Sequence, residues 1–268
     1  MERIKQALDK ARGKKEPPHF GVPAVSHNKG PKPDQNIEYT ETSIVSMHPE
    51  SLHEKRVVAV DENDPATAAY KVLRTQVLQR LRVNKWNSLA ITSPTDGCGK
   101  TLTALNLAIS LAREVNHTVL LVDMDLRRPK LHTYFPGIPG LGISDYLLKN
   151  VELNSILINP GIERLVILPG HKSFSSSSET LSSPKMVELV EELKARYPSR
   201  IVLFDLPPVL ACDDVIAFAP YVDAALLVVE DGKTQENELK RAVELLDSVN
   251  ILGTVLNKAT ENTTAHHY

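Results

Sequence analysis

Apolar and polar residues follow two different periods along the chain. Short, continuously apolar runs are typical of strands that are covered on both faces of a sheet. Such runs lie at Leu89–Thr92, Val119–Val122, Leu165–Leu168, Ile201–Phe204, Ala225–Val229 and Ile251–Leu256. Apolar residues at helical spacing predict helices over Pro65–Arg82, Thr101–Glu114, Lys185–Tyr197 and Gln235–Val249. Because strands alternate with helices, the pattern predicts an α/β fold with a mainly parallel sheet and helices on both faces.

The first 55 residues differ from the rest of the chain. Residues 1–12 have the spacing of a short amphipathic helix. Five prolines then fall between Pro17 and Pro33 with few large apolar side chains among them. Such a stretch buries too little surface to offset its ordering entropy. We therefore predict a short helix and a flexible Pro-rich linker over residues 1–55, one folded domain over 56–260, and a disordered tail over 261–268.

Composition narrows the class of protein. The 31 Lys and Arg residues nearly balance the 33 Asp and Glu residues, and the net charge of −2 argues against a nucleic-acid partner. Two cysteines cannot build a disulfide framework, and they suit a reducing compartment. No apolar run approaches the roughly 18 residues that a membrane span needs, and the N-terminus lacks the apolar core of a secretory signal. These features predict a cytoplasmic protein.

The segment from Ile91 to Leu102 carries the sharpest chemical signal. It reads Ile-Thr-Ser-Pro-Thr-Asp-Gly-Cys-Gly-Lys-Thr-Leu, an apolar strand that enters a glycine-containing loop and opens a helix near Lys100. Successive backbone N–H groups in such a loop form an anion site with the helix N-terminus. In this P-loop pattern the lysine reaches the β- and γ-phosphates, and the following hydroxyl binds Mg²⁺. We expect ATP and Mg²⁺ at Thr95, Asp96, Gly97, Cys98, Gly99, Lys100, Thr101 and Leu102.

Acidic residues follow two of the predicted strands. Asp123 and Asp125 come after one apolar run, and Asp205 ends another. Open α/β sheets bind ligands beyond the carboxyl ends of their strands, where one carboxylate can hold a metal and another can accept a hydroxyl proton. Arg127, two residues further on, is a candidate for neutralising phosphate charge. Solvated turn carboxylates and a surface arginine remain the alternative interpretation.

Three of these segments occur together in one known family. They are Ser-Pro-Thr-Asp-Gly-Cys-Gly-Lys-Thr at 93–101, Val-Asp-Met-Asp-Leu-Arg-Arg-Pro at 122–129 and Phe-Asp-Leu-Pro-Pro at 204–208. In this combination the chain resembles the bacterial tyrosine kinases of capsule and exopolysaccharide systems, from about Asp64 to Lys258. The segments 140–148, 178–186 and 253–257 reinforce the resemblance. The N-terminal helix and linker are similar to the variant encoded with exosortase-linked polysaccharide loci.

The resemblance implies ATP-dependent transfer of phosphate to tyrosines of the kinase itself or of other proteins. By the family's pattern, Asp123 is the base, while Asp125 holds Mg²⁺ together with Thr101 and Asp205. Asn257 matches a position near the adenine. The resemblance also implies a transmembrane polysaccharide co-polymerase, or chain-length regulator, that holds the protein at the inner membrane.

Two features depart from the family. Related kinases carry Glu-x-x-Arg-x-x-Arg in the helix before the first strand, where it joins subunits into a ring, but this frame holds Ala68, Lys71 and Arg74. The usual interfacial ion pairs are therefore not expected, and a homo-oligomer stays an open question. The family's terminal tyrosine cluster is reduced to Tyr268.

Two other functions stay open at this point. One is a pseudokinase scaffold that binds nucleotide and regulates a transmembrane partner without transferring phosphate. The other is an ATPase switch of the chromosome-partitioning type. Those ATPases carry an additional lysine where this chain has Thr95, which disfavours the second alternative.

Overall fold

The computed structural model describes residues 43–45, 49–138, 140–173, 177–197 and 199–259. Within these ranges the strands are β1 (Ser43–Ile44), β2 (Ser88–Thr92), β3 (Thr118–Asp123), β4 (Ile158–Asn159), β5 (Leu165–Leu168), β6 (Arg200–Asp205), β7 (Ala224–Glu230) and β8 (Asn250–Asn257). The helices are α1 (Pro49–Glu54), α2 (Pro65–Asn84), α3 (Lys100–Ala112), α4 (Ile143–Lys149), α5 (Leu153–Ile156), α6 (Ser177–Leu181), α7 (Pro184–Ala195), α8 (Asp214–Phe218) and α9 (Glu236–Leu245). Single 3₁₀ turns lie at Val58–Val60, Leu131–Tyr134 and Ala219–Tyr221.

All eight strands join one sheet in the order β1-β4-β5-β3-β6-β2-β7-β8. Every neighbouring pair is parallel except β4 and β5. The carboxyl ends of β2, β3, β5, β6, β7 and β8 therefore share one edge of the sheet, called here the site edge. Because β1 is parallel to the reversed strand β4, the chain enters β1 from the site edge.

Helices cover both faces of the sheet. Along β3, Val119 and Leu121 face the layer that contains α2 and α3, whereas Leu120 and Val122 face the layer that contains α7 and α9. This alternation follows from the two-residue period of a strand, and burial on both faces explains why the central strands are continuously apolar. The predicted α/β class with a mainly parallel sheet is confirmed.

The predicted central strands and long helices are present, with ends that shift by a few residues. The apolar spacing within Pro65–Arg82 predicts a buried stripe of Ala69, Val72, Leu73, Val77 and Leu81, and this prediction is partly wrong. Val72 is 59% exposed, whereas Val77, Leu81 and the polar Thr67 are buried. The Thr67 hydroxyl lies within hydrogen-bond distance of Val58 O (2.8 Å) and Asp61 O (2.7 Å) and donates to one of them. This contact turns the face of α2 that carries Thr67 toward the core.

The predicted N-terminal helix, most of the linker and the tail 261–268 lie outside the described residues. Inside the predicted linker, however, residues 49–54 form α1, and Leu52 is buried against the α2–α3 layer. The predicted boundary at residue 55 is therefore wrong for this segment. One apolar side chain in six residues gave too little periodicity to reveal it.

The opposite edge of the sheet holds Trp86, the only tryptophan of the chain. Helix α2 ends at Asn84 and is followed by Lys85 in a left-handed conformation, and the Trp86 N–H donates to Leu81 O at 2.9 Å. Trp86 lines a cavity of about 130 Å³ together with Leu78, Leu81 and Ile201. It packs against the α2–α3 layer.

If α1 belongs to the fold, deleting its buried side chain should destabilise the domain. We expect Leu52→Ala to lower the free energy of unfolding by about 2 kcal/mol, through lost apolar burial and the cavity left behind. Urea denaturation measures the change. Leu148, whose side chain is 63% exposed on α4, supplies the matched control. Leu148→Ala should change stability by no more than about 0.5 kcal/mol, and equal effects of both variants would contradict the assignment.

Candidate active site

The loop between β2 and α3 has the conformation that a phosphate-binding loop needs. Gly97 and Gly99 have φ values of +83° and +92°, which glycine adopts without the steric cost of a side chain. A Cβ at Gly99 would also lie 2.2 Å from Asn257 Nδ2. Helix α3 begins at Lys100, so its free N–H groups and positive dipole end face the same loop.

Two residues at the end of β8 hold this loop by its carbonyl oxygens. Asn257 Nδ2 donates to Cys98 O at 2.8 Å, and Lys258 Nζ donates to Gly97 O at 2.9 Å. In a trans peptide the following N–H points away from the carbonyl oxygen. Anchoring these two carbonyls toward β8 therefore turns the N–H groups of Cys98 and Gly99 away from β8.

Lys258 is itself fixed by a carboxylate. Its Nζ lies 3.1 Å from Glu230 Oε1, and Lys233 Nζ lies 3.4 Å from Glu230 Oε2. These two lysines lower the pKa of Glu230, with the Lys258 hydrogen bond as the largest cause. Glu230 ends β7, so the neighbouring strand positions the lysine that anchors the loop.

Lys100 and three aspartates meet at the site edge. Lys100 Nζ lies 2.9 Å from Asp125 Oδ2 and 4.0 Å from Asp205 Oδ1, and all of these side chains are buried. Burial alone would lower the pKa of Lys100, but the surrounding carboxylates, Asp205 and Asp125 foremost, raise it above its usual value. Lys100 is therefore a buried ammonium that acidic residues hold in its charged form.

Asp123 is fully buried beside this cation. Its Oδ2 accepts hydrogen bonds from Lys130 N at 3.1 Å and Leu131 N at 2.9 Å. Burial, reinforced by the charge of Asp205, raises the pKa of Asp123 to about 8. Gly170, after β5, packs on the carboxyl group, and a Cβ there would lie 3.2 Å from Asp123 Oδ2. A carboxyl with a pKa near neutrality is suited to exchanging protons at physiological pH.

Asp205 differs from Asp123 because no backbone N–H in the described ranges donates to its buried oxygens, which face Lys100 and the hydroxyl of Thr101. Burial raises the pKa of Asp205, and the charge of Lys100 opposes the shift. This carboxylate, next to the helix start at Thr101, suits Mg²⁺, which takes oxygen ligands from carboxylates, hydroxyls and phosphates. No group of three His, Cys, Asp or Glu residues in the described ranges is arranged to hold a metal alone. A cation here would need nucleotide oxygens as further ligands.

Arg127 points away from this cluster. Its guanidinium contacts the buried carboxylate of Asp214 at 3.1 Å, and its Nε donates to Ser177 Oγ at 2.8 Å. Asp214 begins α8 and Ser177 begins α6, so Arg127 ties both helices to the segment after β3. The structure does not bring this predicted catalytic residue together with Lys100.

The remaining loop residues have varied surroundings. Cys98 is buried, with its Sγ 3.7 Å from Thr95 Oγ1 and 3.8 Å from Thr234 Oγ1. Asp96 is exposed and pairs with Arg128 at 3.6 Å. Leu102, on the first turn of α3, is half-buried, and its carbonyl accepts from Asn106 Nδ2.

On α2, Arg74 belongs to the segment that matches the family's subunit-joining motif. Here its guanidinium makes its contacts within the same chain. It donates to Ser110 O at 3.2 Å and pairs with Glu114 at 3.2 Å. Ala68 is exposed and Lys71 is half-exposed.

Several site residues escaped the sequence analysis. Lys258 directly follows Asn257, and Glu230 directly follows the predicted strand Ala225–Val229, so the position of each residue in the sequence was a signal that could have found it. Gly170 lies two residues beyond the predicted strand Leu165–Leu168. Their contacts with the loop and with Asp123 depend on strands that are distant in sequence.

The loop, the buried lysine and the strand-end carboxylates define a P-loop nucleotide-binding protein. The chain matches the CobQ/CobB/MinD/ParA nucleotide binding domain over residues 89–268. It is 30% identical over 236 residues to the tyrosine-protein kinase YwqD of Bacillus subtilis, covering 87% of this chain and 90% of YwqD. It is 31% identical over 215 residues to the tyrosine-protein kinase etk of Escherichia coli, covering 79% of this chain and 29% of that kinase. The solved kinase domain of E. coli ETK superposes with a TM-score of 0.72 at 29% identity, covering 84% of this chain and 92% of that domain.

The chain belongs to the bacterial tyrosine kinases, a branch of these nucleotide-binding domains. The resemblance inferred from the three motifs is thus confirmed, as is the P-loop fold. The exosortase-linked subtype stays a prediction. Within the described residues, no helix combines the length and apolar character required to cross a bilayer.

The raised pKa of Asp123 predicts how stability depends on pH. A carboxyl whose pKa is about 8 when folded and about 3.9 when unfolded binds its proton more tightly in the folded chain. Stability is therefore lost as the pH rises between these values. We expect wild type to lose at least about 1 kcal/mol more than Asp123→Asn between about pH 5 and pH 8.

Urea denaturation of the nucleotide-free chain at both pH values measures this loss. Asp247→Asn, on the exposed end of the α9 region, should keep the wild-type slope. A wild-type slope in Asp123→Asn would refute the assignment of the raised pKa.

Because Lys258 anchors the phosphate loop, its loss should weaken the binding of ligands that carry phosphate. We expect Lys258→Met to weaken ADP binding about three- to tenfold, because one charge-assisted hydrogen bond that orients the loop is lost. Adenosine binding should not change, since adenosine has no phosphate. Isothermal titration calorimetry with both ligands measures the difference.

Lys233→Met is the matched control, because Lys233 shares Glu230 but donates no hydrogen bond to the loop among the described contacts. Equal weakening of ADP and adenosine in Lys258→Met would instead indicate a general distortion.

Proposed function

We propose that this protein is an ATP-dependent protein-tyrosine kinase. The observation that carries the proposal is a carboxyl, Asp123, with a raised pKa, placed on the same edge as the phosphate loop and Lys100. A nucleotide-binding switch needs the loop and the lysine. A second, proton-accepting carboxyl beside them is what transfer to a hydroxyl requires.

In the proposed reaction the loop N–H groups and the start of α3 hold the β- and γ-phosphates. Lys100 neutralises charge that develops on the transferred phosphoryl group. The acceptor phenol lies beside Asp123, which takes its proton as the oxygen–phosphorus bond forms and ADP leaves. Positioning and electrostatic stabilisation provide the catalysis, because the transition state needs little covalent help from the protein.

Thr101, Asp205 and Asp125 are the proposed Mg²⁺ residues, and bound Mg²⁺ would supply positive charge to the phosphates. The burial of Asp205 beside the Thr101 hydroxyl, with no described backbone N–H donating to its oxygens, supports its assignment. Lys100 contacts Asp125 at 2.9 Å, so metal binding would place Asp125 between two cations. For Asn257 we propose a place beside the purine, next to the loop carbonyl that it already contacts.

A role in capsule or exopolysaccharide assembly, next to a transmembrane co-polymerase at the inner membrane, is part of the proposal. Its support is the family, including the putative tyrosine-protein kinases CapB of Staphylococcus aureus and EpsB of Ralstonia solanacearum. The scaffold and partitioning-type alternatives are not favoured, since the curated relatives are named tyrosine-protein kinases and the solved kinase domains of VpsO, ETK and BceF superpose with higher TM-scores than the septum-site protein MinD does.

Two substitutions test the chemistry. We expect Lys100→Ala and Asp123→Asn each to reduce phosphorylation of a poly(Glu,Tyr) substrate by at least about a hundredfold, the usual cost of removing one charge-stabilising or proton-transfer group. Removal of Mg²⁺ with EDTA should have the same result. Radiolabel transfer from ATP measures the rates.

Lys240→Ala and Asp247→Asn are matched controls, because both residues lie exposed in the α9 region. Phosphate release without phosphotyrosine would favour an ATPase. Wild-type transfer by Asp123→Asn would remove its proposed role as base.

A further inference from the structure

The turn that follows β3 orients Asp123 through a short series of hydrogen bonds. Lys130 and Leu131 donate their backbone N–H groups to Asp123 Oδ2 at 3.1 and 2.9 Å. Thr133 closes the turn, because its N–H and its hydroxyl both donate to Lys130 O, at 2.9 and 2.7 Å. The planar peptide between Lys130 and Leu131 is thus held on both sides, by the carboxylate and by Thr133. The orientation of Asp123 therefore depends on where Thr133 lies.

A side chain from a distant part of the sequence reaches this turn. Lys55 Nζ donates to Thr133 O at 2.6 Å, across 78 residues of sequence. Lys55 directly follows the last residue of α1, and its side chain is half-buried. Hydrogen bonds with a charged donor are shorter and stronger than those between neutral groups. Lys55 thus fixes the end of the turn that orients Asp123.

The backbone around Lys55 is in turn attached to α3, the helix that begins at the phosphate loop. Asn106 on α3 is buried, and its Oδ1 accepts from Ala59 N at 2.9 Å. Its Nδ2 lies 3.2 Å from Arg56 O and 3.0 Å from Leu102 O, and the two hydrogens of the amide serve both carbonyls. One side chain therefore joins the segment after α1 to the first turn of α3.

Apolar packing makes the segment around Lys55 a firm support. Leu52, Val57 and Ala59 are at most 2% exposed and belong to the same core cluster as Leu131. Lys55 consequently extends from packed backbone on both of its sides. A donor on such backbone holds its acceptor more precisely than a donor on a mobile loop does.

We propose that Lys55 is a positioning residue for Asp123. It holds Thr133 O, and with it the turn that orients the carboxyl, at a fixed place relative to α3 and the phosphate loop. This inference rests on the proposed kinase function, in which Asp123 accepts the proton of the acceptor hydroxyl while the loop holds ATP. The base and the nucleotide are carried by different strands, and misalignment of about 1 Å is costly in such reactions. Hydrogen bonds between their supports provide the alignment.

Steady-state kinetics with poly(Glu,Tyr), Mg²⁺ and ATP test this role. Lys55→Met keeps the length of the side chain but removes the donor, and we expect kcat to fall about fivefold or more because Asp123 is less well aligned. The KM for ATP should stay within about twofold, since the phosphate loop itself is unchanged. Lys55→Arg keeps a charged donor and should recover most of the lost kcat. Lys240→Met, exposed on α9, is the matched control and should behave as wild type.

Hydrogen exchange followed by NMR in the full, nucleotide-free chain tests the contact without relying on transfer. The amides of Lys130 and Leu131 should exchange about tenfold faster in Lys55→Met than in wild type, because the turn opens more readily without its anchor. Lys55→Arg should restore slow exchange at both amides, and the amides of α9 should not change. Faster exchange throughout the domain would indicate general destabilisation and contradict a role specific to the turn.

The two measurements together separate this inference from the kinase proposal. Wild-type kcat in Lys55→Met, with or without faster exchange, would overturn the positioning role and leave the kinase proposal intact. A lower kcat with unchanged exchange would contradict action through the turn. A wild-type chain that transfers no phosphate to poly(Glu,Tyr) would count against the kinase proposal, and the exchange rates would still decide whether Lys55 holds the turn.

Discussion

One buried ammonium among three carboxylates sets the electrostatics of the site edge. Lys100 contacts Asp125 directly, and Asp205 and Asp123 lie in the same water-poor region. With all four groups ionised, the acidic charge would exceed the basic charge, and isolated charges are costly to bury. The raised pKa of Asp123 is one way in which the protein reduces this excess. The excess of carboxylates around one ammonium, with no backbone N–H of the described chain donating to Asp205, is another sign that the cluster is arranged for an additional cation.

The fold places these groups by means of parallel strands and not by local loop structure alone. β2, β3 and β6 are adjacent in the sheet, so the loop, Asp123 and Asp205 follow from three neighbouring strand ends. β7 and β8 add Glu230, Asn257 and Lys258 on the other side of the loop. The phosphate loop is thus supported on both sides, which is what a preorganised anion site requires.

Features of the fold whose physical signal is local were predictable from the amino-acid sequence. A continuous apolar run, a glycine at a left-handed position and an aspartate at a strand end are each recognisable within a few residues, so the central strands and the loop were predictable. The two-residue strands β1 and β4 carry no usable period, and their pairing depends on distant partners. The same limit applies to Lys258, whose role arises only when β8 lies beside β7, and to Arg127, whose partner Asp214 is 87 residues away.

The position of Trp86 has a consequence for spectroscopy. The indole lines the same cavity as Leu81 and Ile201, at the edge of the sheet opposite the phosphate loop. Since it is the sole tryptophan, indole emission from this protein originates from this one location. Its intensity and wavelength should follow loss of the α2–α3 layer during denaturation. Ligand occupancy at the far edge should leave the emission spectrum nearly unaltered, so a separate fluorophore is needed to follow nucleotide.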